Sequence, residues 1–498
     1  MQGFLVRAPN LAGVERAEAE AIYDSGREAC VQFILELAAR VREMDERLSR
    51  LEAAARQDSR TSSKPPSADP PKTRAQRRAE ARAKAKELMR REGERRAQGG
   101  QPGHRGAGRE LKPSDQMDEI VDHFPDACGG CGARFAPERQ RPASRFGRHQ
   151  VAELPPISVV FTEHRSHQLR CRHCRARTSA RLPQEIGSSP FGCRLQAALV
   201  TLAAAYRVSR RGIREIARDL FGVTMSTGAA DAICQHASEA LAGPYLHLQD
   251  QVLDAPAVHV DETGWRTQGD GRALWTATTP DAVFLQIAEH CNRAQFNALI
   301  GVSYPGIVIS DRWNGYSHLD PNRRQACWSH IQRDFRRHAD GLGEQKPFGE
   351  QGSELTRRVF AAWRAYQHEH HDRHRLQAEI APIQVELKQL LGAASSKRAR
   401  NRWHRQFANN LLKIWPALWT FVSVDGIEPT NNPAERALRA PVIHRKVSLG
   451  TQSEKGERFA ERALSAAGTC RLQRRSLFTY LGDLITAHNR GDPFPMLA

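Results

Sequence analysis

The sequence predicts a multidomain α/β protein, and three observations carry that prediction. Hydrophobic periodicity is helical on both sides of a central stretch but changes to that of strands near Ala257. Turn formers, Gly269-Asp-Gly271 and Thr279-Pro-Asp281, split that stretch into short β runs. A wholly apolar segment, Ile307-Val-Ile309, follows a helix and suits a buried parallel strand. With 498 residues the chain is long enough for three or four domains at roughly 100 to 200 residues each.

Charge and composition bound the partners. The formal net charge is +18, and Lys and Arg that neutralise phosphates gain affinity by releasing condensed counterions, so nucleic acid is the leading partner. A merely basic soluble protein is the bland alternative. The longest nearly apolar run, Leu195 to Tyr206, is far short of the ~20 residues that span a bilayer, and no apolar core follows a basic start. No membrane partner and a cytoplasmic location are therefore expected. Ten cysteines are too sparse for a disulfide scaffold.

Residues 1 to 29 carry no clear pattern. Over residues 30–57, Ile34, Leu37, Val41, Met44, Leu48, Leu51 and Ala55 alternate spacings of three and four, an a/d seam that predicts a short coiled coil and a homo-oligomer. An amphipathic helix packed on its own protein is the competing reading. Residues 58–115 read as a basic, largely disordered linker. Ser59 to Asp69 is rich in Ser and Pro, and Lys72 to Lys112 holds 14 Lys or Arg against 5 Glu.

Two knuckles, Cys128-Gly-Gly-Cys131 and Cys171-Arg-His-Cys174, bracket 39 residues within 116–185. Four thiolates in tetrahedral array favour one structural Zn²⁺, and alternation between Gln150 and Leu169 suggests strands, hence a zinc-ribbon-like module. Redox pairs and unrelated free thiols are the alternatives. Cys30, Cys193, Cys234, Cys291, Cys327 and Cys470 are isolated and read as buried small hydrophobes. Residues 190–250 are helical by period. Within Ser209 to Ser226 an amphipathic helix, a turn at Phe221-Gly222-Val223 and a second helix opening near Ser226 or Thr227 have the form of a helix-turn-helix, a helical DNA-binding region with Arg210 and Arg211 as candidate contacts. Simple helix packing explains the same pattern equally well.

Over residues 255–340 the β runs Ala257 to Asp261, Ala273 to Thr278 and Ala282 to Ala288 make a three-strand meander, and a helix from about Arg293 to Val302 leads to the apolar strand. That is the opening order of a ribonuclease-H-like core, in which the fourth strand lies beside the first. Asp261 and Asp311 end their apolar runs and would then face one metal. With Glu435 they suit a pair of Mg²⁺ ions ~3.5 to 4 Å apart. A turn or cap is the plain alternative for each aspartate. Glu435 has a stronger one: Asn432 as N-cap and Pro433 at the first helical position would make it the acid of a capping box. Arg436, Arg439, Arg445 and Lys446 follow as candidate phosphate contacts.

The 123 residues between Asp311 and Glu435 are too many for one loop. Apolar positions from Phe360 to Trp419 predict an all-helical insertion over 341–424, with the core resuming over 425–490. Cys327 and His330, three apart, read as a packed cysteine beside a polar histidine rather than a ligand pair.

Together these motifs resemble the IS66-type insertion-sequence transposases. The resemblance rests on Ser62-Ser-Lys-Pro-Pro-Ser67, the two knuckles, His259-Val-Asp-Glu-Thr263, Ser310-Asp311 with Tyr316, and Cys327-Trp-Ser-His-Ile-Gln-Arg-Asp-Phe335. Its most specific part is Thr430-Asn-Asn-Pro-Ala-Glu-Arg-Ala-Leu-Arg439, followed by Arg445-Lys446 and Tyr480-Leu481, and it covers about residues 30 to 485. It implies a DDE triad carried onto Asp261, Asp311 and Glu435, served by two Mg²⁺ ions or by Mn²⁺. It further implies a bacterial DNA transposase that binds terminal inverted repeats in double-stranded DNA, hydrolyses the 3′ ends and joins each 3′-hydroxyl to target DNA, with helper proteins of the same element as further partners. A metal-dependent nuclease or resolvase of the same fold and a domesticated, non-catalytic DNA-binding protein are the rival functions.

Overall fold

The computed structural model describes residues 16–56, 110–139, 147–183, 186, 189–368, 372–396 and 401–497. They divide between a smaller unit, 71–162 with 220–223, and a larger one holding the rest. Helix α1 (Arg16–Asp24) precedes α2 (Arg27–Arg56), with Gly26 between them at φ 99°. Nine residues are too few to show a period, which is why α1 escapes the sequence. Along α2 the seam residues Ile34, Leu37, Val41, Met44 and Leu48 are 40 to 66 % exposed. The basic stretch 58–115 lies outside the described residues as far as position 109.

In the smaller unit the Lys112 backbone holds the Gln150 side chain by two bonds, 3.0 and 2.9 Å long. The strands expected between Gln150 and Leu169 do not form there. Within the larger unit, β1 (Gln168–Arg170) alone overlaps that run, paired antiparallel with β2 (Arg177–Ser179) of the same unit. Alternation needs a ladder partner to become a strand, and Pro155-Pro156 removes two donors from the run.

Four helices follow: α3 (Cys193–Ala204), α4 (Arg210–Phe221), α5 (Thr227–Ala240) and α6 (Ala242–Asp254). Ser226 opens α5, its Oγ accepting the Ala229 N–H at 3.0 Å. The chain then enters a mixed sheet. Strands β3 (Ala257–Thr267), β4 (Asp270–Thr278) and β5 (Val283–Ala288) form an antiparallel meander. Helix α7 (Arg293–Ile300) crosses back to β6 (Ile307–Ser310), parallel to β3, and β7 (Arg324–Ala326) adds parallel to β6. The order β5-β4-β3-β6-β7 puts β3 at the centre.

Helix α8 (Trp328–Ala339) leads into α9 (Gln345–His368), α10 (Arg373–Ser395), α11 (Arg402–Lys413) and the short α12 (Thr420–Ser423). These helices share one core with the sheet, since Val359, Leu387, Phe407 and Phe421 cluster with Ile309 and Trp328. Their return is fixed at β7. The Thr420 hydroxyl donates to Arg324 O at 2.6 Å, Phe421 N–H to Gln325 Oε1 at 2.9 Å, and Trp328 Nε1 to Leu418 O at 2.7 Å. The chain ends in α13 (Asn432–Ser448), α14 (Glu454–Leu472) and α15 (Leu477–Arg490). No helix among the described residues is long and apolar enough to cross a membrane.

Edge strand β5 is closed by α14. Val283 N–H donates to Thr469 Oγ1 and Leu285 N–H to Ser465 Oγ, both at 3.0 Å, and Ile287 N–H donates to Glu461 Oε1 at 2.6 Å. Two residues of strand advance ~6.8 Å and four of helix ~6 Å, so every second strand residue meets every fourth helical one. The edge thereby loses its unpaired donors.

Burial pushes the Glu461 carboxyl from its ordinary 4.5 up to about 7. Its folded value lies above the unfolded one, so its contribution to stability is fully present below pH 4.5 and is lost as pH rises towards 7, a span of about 3 kcal/mol. Glu461→Gln keeps the acceptor but cannot ionise. Urea titrations across pH 4.5 to 7 should give a flatter stability profile for that variant than for the wild type.

Candidate active site

The parallel pairing of β3 with β6 sets the site. Ala257, Val258 and His259 stand level with Ile307, Val308 and Ile309. Carried on by two residues, that register brings Asp261 level with Asp311, one residue past the end of β6. β3 does not stop at Asp261 as its apolar run suggests. Glu262 to Thr267 still pair with β4, and Trp265 is buried.

Asp261 Oδ1 accepts the Glu262 N–H at 3.0 Å, and Asp311 Oδ1 accepts that of Trp313 at 2.9 Å. Burial pushes the Asp261 carboxyl well above the usual range, and the charges of Asp311, Glu262 and Glu435 raise it further. Buried Arg324, on β7, donates to Asp311 O at 2.5 Å, Tyr316 O at 3.1 Å and Ser310 Oγ at 3.2 Å. Those bonds hold the backbone that carries Asp311. Nothing in Arg324-Gln-Ala326 announces a strand, so this support is invisible in the sequence.

Helix α13 brings Glu435. Its N-cap is Asn431, not Asn432, and that side chain makes no cap bond. It reaches the sheet instead: Asn431 Nδ2 donates to Val260 O at 2.8 Å, and Oδ1 lies 3.2 Å from His259 Nδ1. The Asn431 N–H donates to Cys327 Sγ at 3.2 Å. The capping-box explanation of Glu435 therefore fails, because Glu435 is the fourth helical residue and the cap's side chain is engaged elsewhere.

Glu435 Oε1 is buried without a hydrogen-bond partner, and so is His330 Nδ1, 3.8 Å away. Cys327, His330 and Glu435 each place a ligand atom within 4.8 Å of the others. The sequence reading of Cys327 and His330 as a merely packed pair missed this, since Glu435 arrives from across the helical insertion.

Glu262 points to the opposite face of β3 from Asp261. Tyr316 OH donates to its Oε2 at 2.5 Å, burial pushes it up to about 7, and Cys291 hydrogen-bonds it. Cys291 is exposed, contrary to the expectation of a buried small hydrophobe, and Cys30 and Cys193 are only half-buried; Cys234, Cys327 and Cys470 are buried as expected. A cleft of about 450 Å³ opens here, lined by Glu262, Thr263, Arg272, His290 and Cys291 among others.

Of the basic candidates, Arg436, Arg439, Lys446 and Arg211 are exposed. Arg445 is half-buried with Nη1 3.5 Å from Thr263 Oγ1. Arg210 is bonded to Asp231 at 3.0 Å and lies over the Phe459 ring. Carboxylate oxygens are hard donors that suit Mg²⁺ or Mn²⁺, and the charges of Asp311 and Glu435 reach Asp261. Among the described residues, however, the ligand atoms that lie within 4.8 Å of one another in a group of three are those of Cys327, His330 and Glu435, not those of the three acids.

Each cysteine knuckle has the same local form. Cys128 N–H donates to Ala133 O at 2.9 Å and Gly132 N–H to Cys128 O at 2.8 Å; Cys171 N–H donates to Ala176 O at 2.8 Å and Arg175 N–H to Cys171 O at 3.0 Å. Gly132 and Arg175 both adopt positive φ, 74° and 60°. Backbone N–H groups aimed at the sulfur, from Cys131 and Gly130 or from Cys174 and His173, hold the Cys128 and Cys171 thiols below their ordinary value.

A family model described as Transposase IS66 family matches residues 188–458, and a model of a family of unknown function matches residues 7–110. Among curated proteins, the uncharacterized protein y4hP of Sinorhizobium fredii (strain NBRC 101917 / NGR234) is 22% identical over 415 residues, which cover 75% of this chain and 72% of that protein.

Asn431→Ala removes both bonds to β3 and leaves the Val260 carbonyl unmet in the interior. A loss of about 2 to 3 kcal/mol is expected in urea unfolding. A change within about 0.5 kcal/mol, the size of an ordinary surface substitution, would show that the clamp carries no weight.

Proposed function

Because the chain belongs to the IS66 transposase family, we propose that Asp261, Asp311 and Glu435 are the catalytic triad of a DNA transposase built on a ribonuclease-H-like core. The observation that carries this reading is the register that levels Asp261 with Asp311, while the charge of Glu435 reaches Asp261 from helix α13. The order β5-β4-β3-β6-β7, antiparallel in its first three strands and parallel in its last two, supports the core.

Two steps follow. A water oxygen attacks the phosphorus at the end of the mobile element, the P–O bond to the 3′-oxygen breaks, and a 3′-hydroxyl is released. That hydroxyl oxygen then attacks a phosphodiester of the target, a new P–O bond forms, its proton passes to solvent, and the target's own 3′-oxygen leaves. Divalent magnesium held by the three carboxylates would activate the attacking oxygen and stabilise the leaving one. The chain's own part is positioning. Arg324 fixes the Asp311 backbone, Asn431 sets the height of α13 against β3, and Arg436 and Arg439 present positive charge beside Glu435 for the phosphate backbone. The Tyr316 hydrogen bond keeps Glu262 on the far face, outside the triad.

The remaining parts serve assembly and binding. Each knuckle offers Zn²⁺ two cysteine sulfurs, of which Cys128 and Cys171 are preorganised by backbone donors. Helices α4 and α5 offer Arg211 to DNA. The apolar seam of α2 pairs with the same seam of a second copy, which its exposure supports.

With labelled element ends and Mg²⁺, Asp261→Asn should lower 3′ nicking at least about a hundredfold while gel-shift binding of the ends persists. Equal nicking by both proteins would place the metal site elsewhere. In sedimentation the wild type should run as a dimer or larger, and Val41→Glu with Leu48→Glu should make it monomeric; a monomeric wild type at working concentration rejects the coiled coil.

A further inference from the structure

We propose that Cys327, His330 and Glu435 form a binding site for a soft divalent cation of the Zn²⁺ or Co²⁺ class, distinct in chemistry from the all-oxygen triad but sharing Glu435 with it. The site stands on its own geometry. Only the sharing rests on the catalytic reading of Glu435.

The three ligand atoms, one sulfur, one nitrogen and one oxygen, lie within 4.8 Å of one another. Ligands bound at 2.0 to 2.3 Å around a tetrahedral ion stand roughly 3.5 Å apart, so small side-chain rotations close the set. The elements that carry them are fixed. Cys327 is the N-cap of α8, and His330 lies in that helix's first turn, three residues on, hence on the same side. Glu435 faces them from the start of α13. Two bonds fasten these helix starts together, Trp328 N–H to Pro429 O at 2.9 Å and Asn431 N–H to Cys327 Sγ at 3.2 Å.

The second observation points to a ligand directly. His330 Nδ1 and Glu435 Oε1 are both buried without a hydrogen bond, and they face each other across 3.8 Å. Buried polar atoms are nearly always satisfied, and this gap is too long for a hydrogen bond. A cation between them satisfies both at once. Imidazole and thiolate are poor ligands for Mg²⁺ and good ones for zinc and cobalt, which selects the class of ion. Three protein ligands leave a fourth position open. Binding releases the Cys327 thiol proton to solvent, and the thiolate and the carboxylate together balance the ion's two charges. An ion seated here draws Glu435 from the magnesium set, so zinc should antagonise magnesium-dependent nicking.

The test titrates full-length protein with Co²⁺, reading thiolate-to-cobalt charge-transfer absorption and counting bound ions by equilibrium dialysis. The knuckle thiols contribute their own signal, so the comparison is made in a chain carrying Cys128→Ser, Cys131→Ser, Cys171→Ser and Cys174→Ser. That chain should bind one Co²⁺ with a thiolate band. Adding Cys327→Ser should abolish the band, and adding His330→Asn should weaken binding at least about tenfold. Should the knuckle changes prevent folding, the same two substitutions in the otherwise natural chain should each lower the ion count by one. Unchanged count and affinity in both would overturn the site. Cobalt binding as expected, with Mg²⁺-dependent nicking indifferent to added Zn²⁺, would keep the site and overturn the sharing of Glu435.

Discussion

The geometry around Asp261 depends on how a single buried carboxamide is satisfied. Asn431 has no exposure, and its side chain and N–H engage β3 through Val260 and His259 and the start of α8 through Cys327. A buried amide left unpaired costs about 1 to 3 kcal/mol, so helix α13 is stable only at the height where all three bonds close. That height places Glu435 four residues beyond the clamp, beside a strand whose next residue after Val260 is Asp261. The acid's position is thus set four residues upstream, by the hydrogen bonds of Asn431 to β3 and to the start of α8.

The helical insertion has to deliver Asn431 to that clamp. Its 123-residue span between the two acids would be a heavy entropic burden as a loop, although loop-closure entropy grows only slowly with length. Folding it onto the sheet's own core changes the problem. Phe421 and Trp419 pack with Trp328 and Ile309, and the Gln325 side chain and the Arg324 carbonyl of β7 accept the returning chain. The insertion therefore acts as a bracket from the far edge of the sheet back to its centre, and loosening it would displace Glu435 without altering any residue of the site.

Much of this was legible in the sequence, and the residues that escaped share a cause. The meander, α7 and β6 announce themselves because their apolar spacing and turn formers are local signals, and β3 with β6 then implies the pairing of Asp261 with Asp311. β7 is Arg-Gln-Ala, two polar residues and a small apolar one, whose burial comes from the insertion's return, so no window of sequence contains its reason. The start of α13 was misplaced by one residue for the same cause. Asn-Asn-Pro offers two caps, and tertiary bonds to β3 decide between them. Alternation between Gln150 and Leu169 misled in the opposite direction, a local pattern with no partner strand to realise it. Glu262 with Tyr316, and His330 with Glu435, are contacts across 54 and 105 residues that periodicity cannot see.

Charge joins these pieces to the composition with which the sequence began. A net charge of +18 suits a polyanionic partner, yet the proposed site carries three carboxyl groups, which by themselves repel phosphate. Burial relieves part of that conflict by favouring a protonated Asp261. On the proposed reading, divalent cations held by the three carboxylates would offset that negative charge and let the site receive a phosphodiester. Arg436 and Arg439, both exposed on α13, add positive charge beside that site. On this reading the basic surface brings DNA close, and occupancy by metal decides whether its backbone can enter.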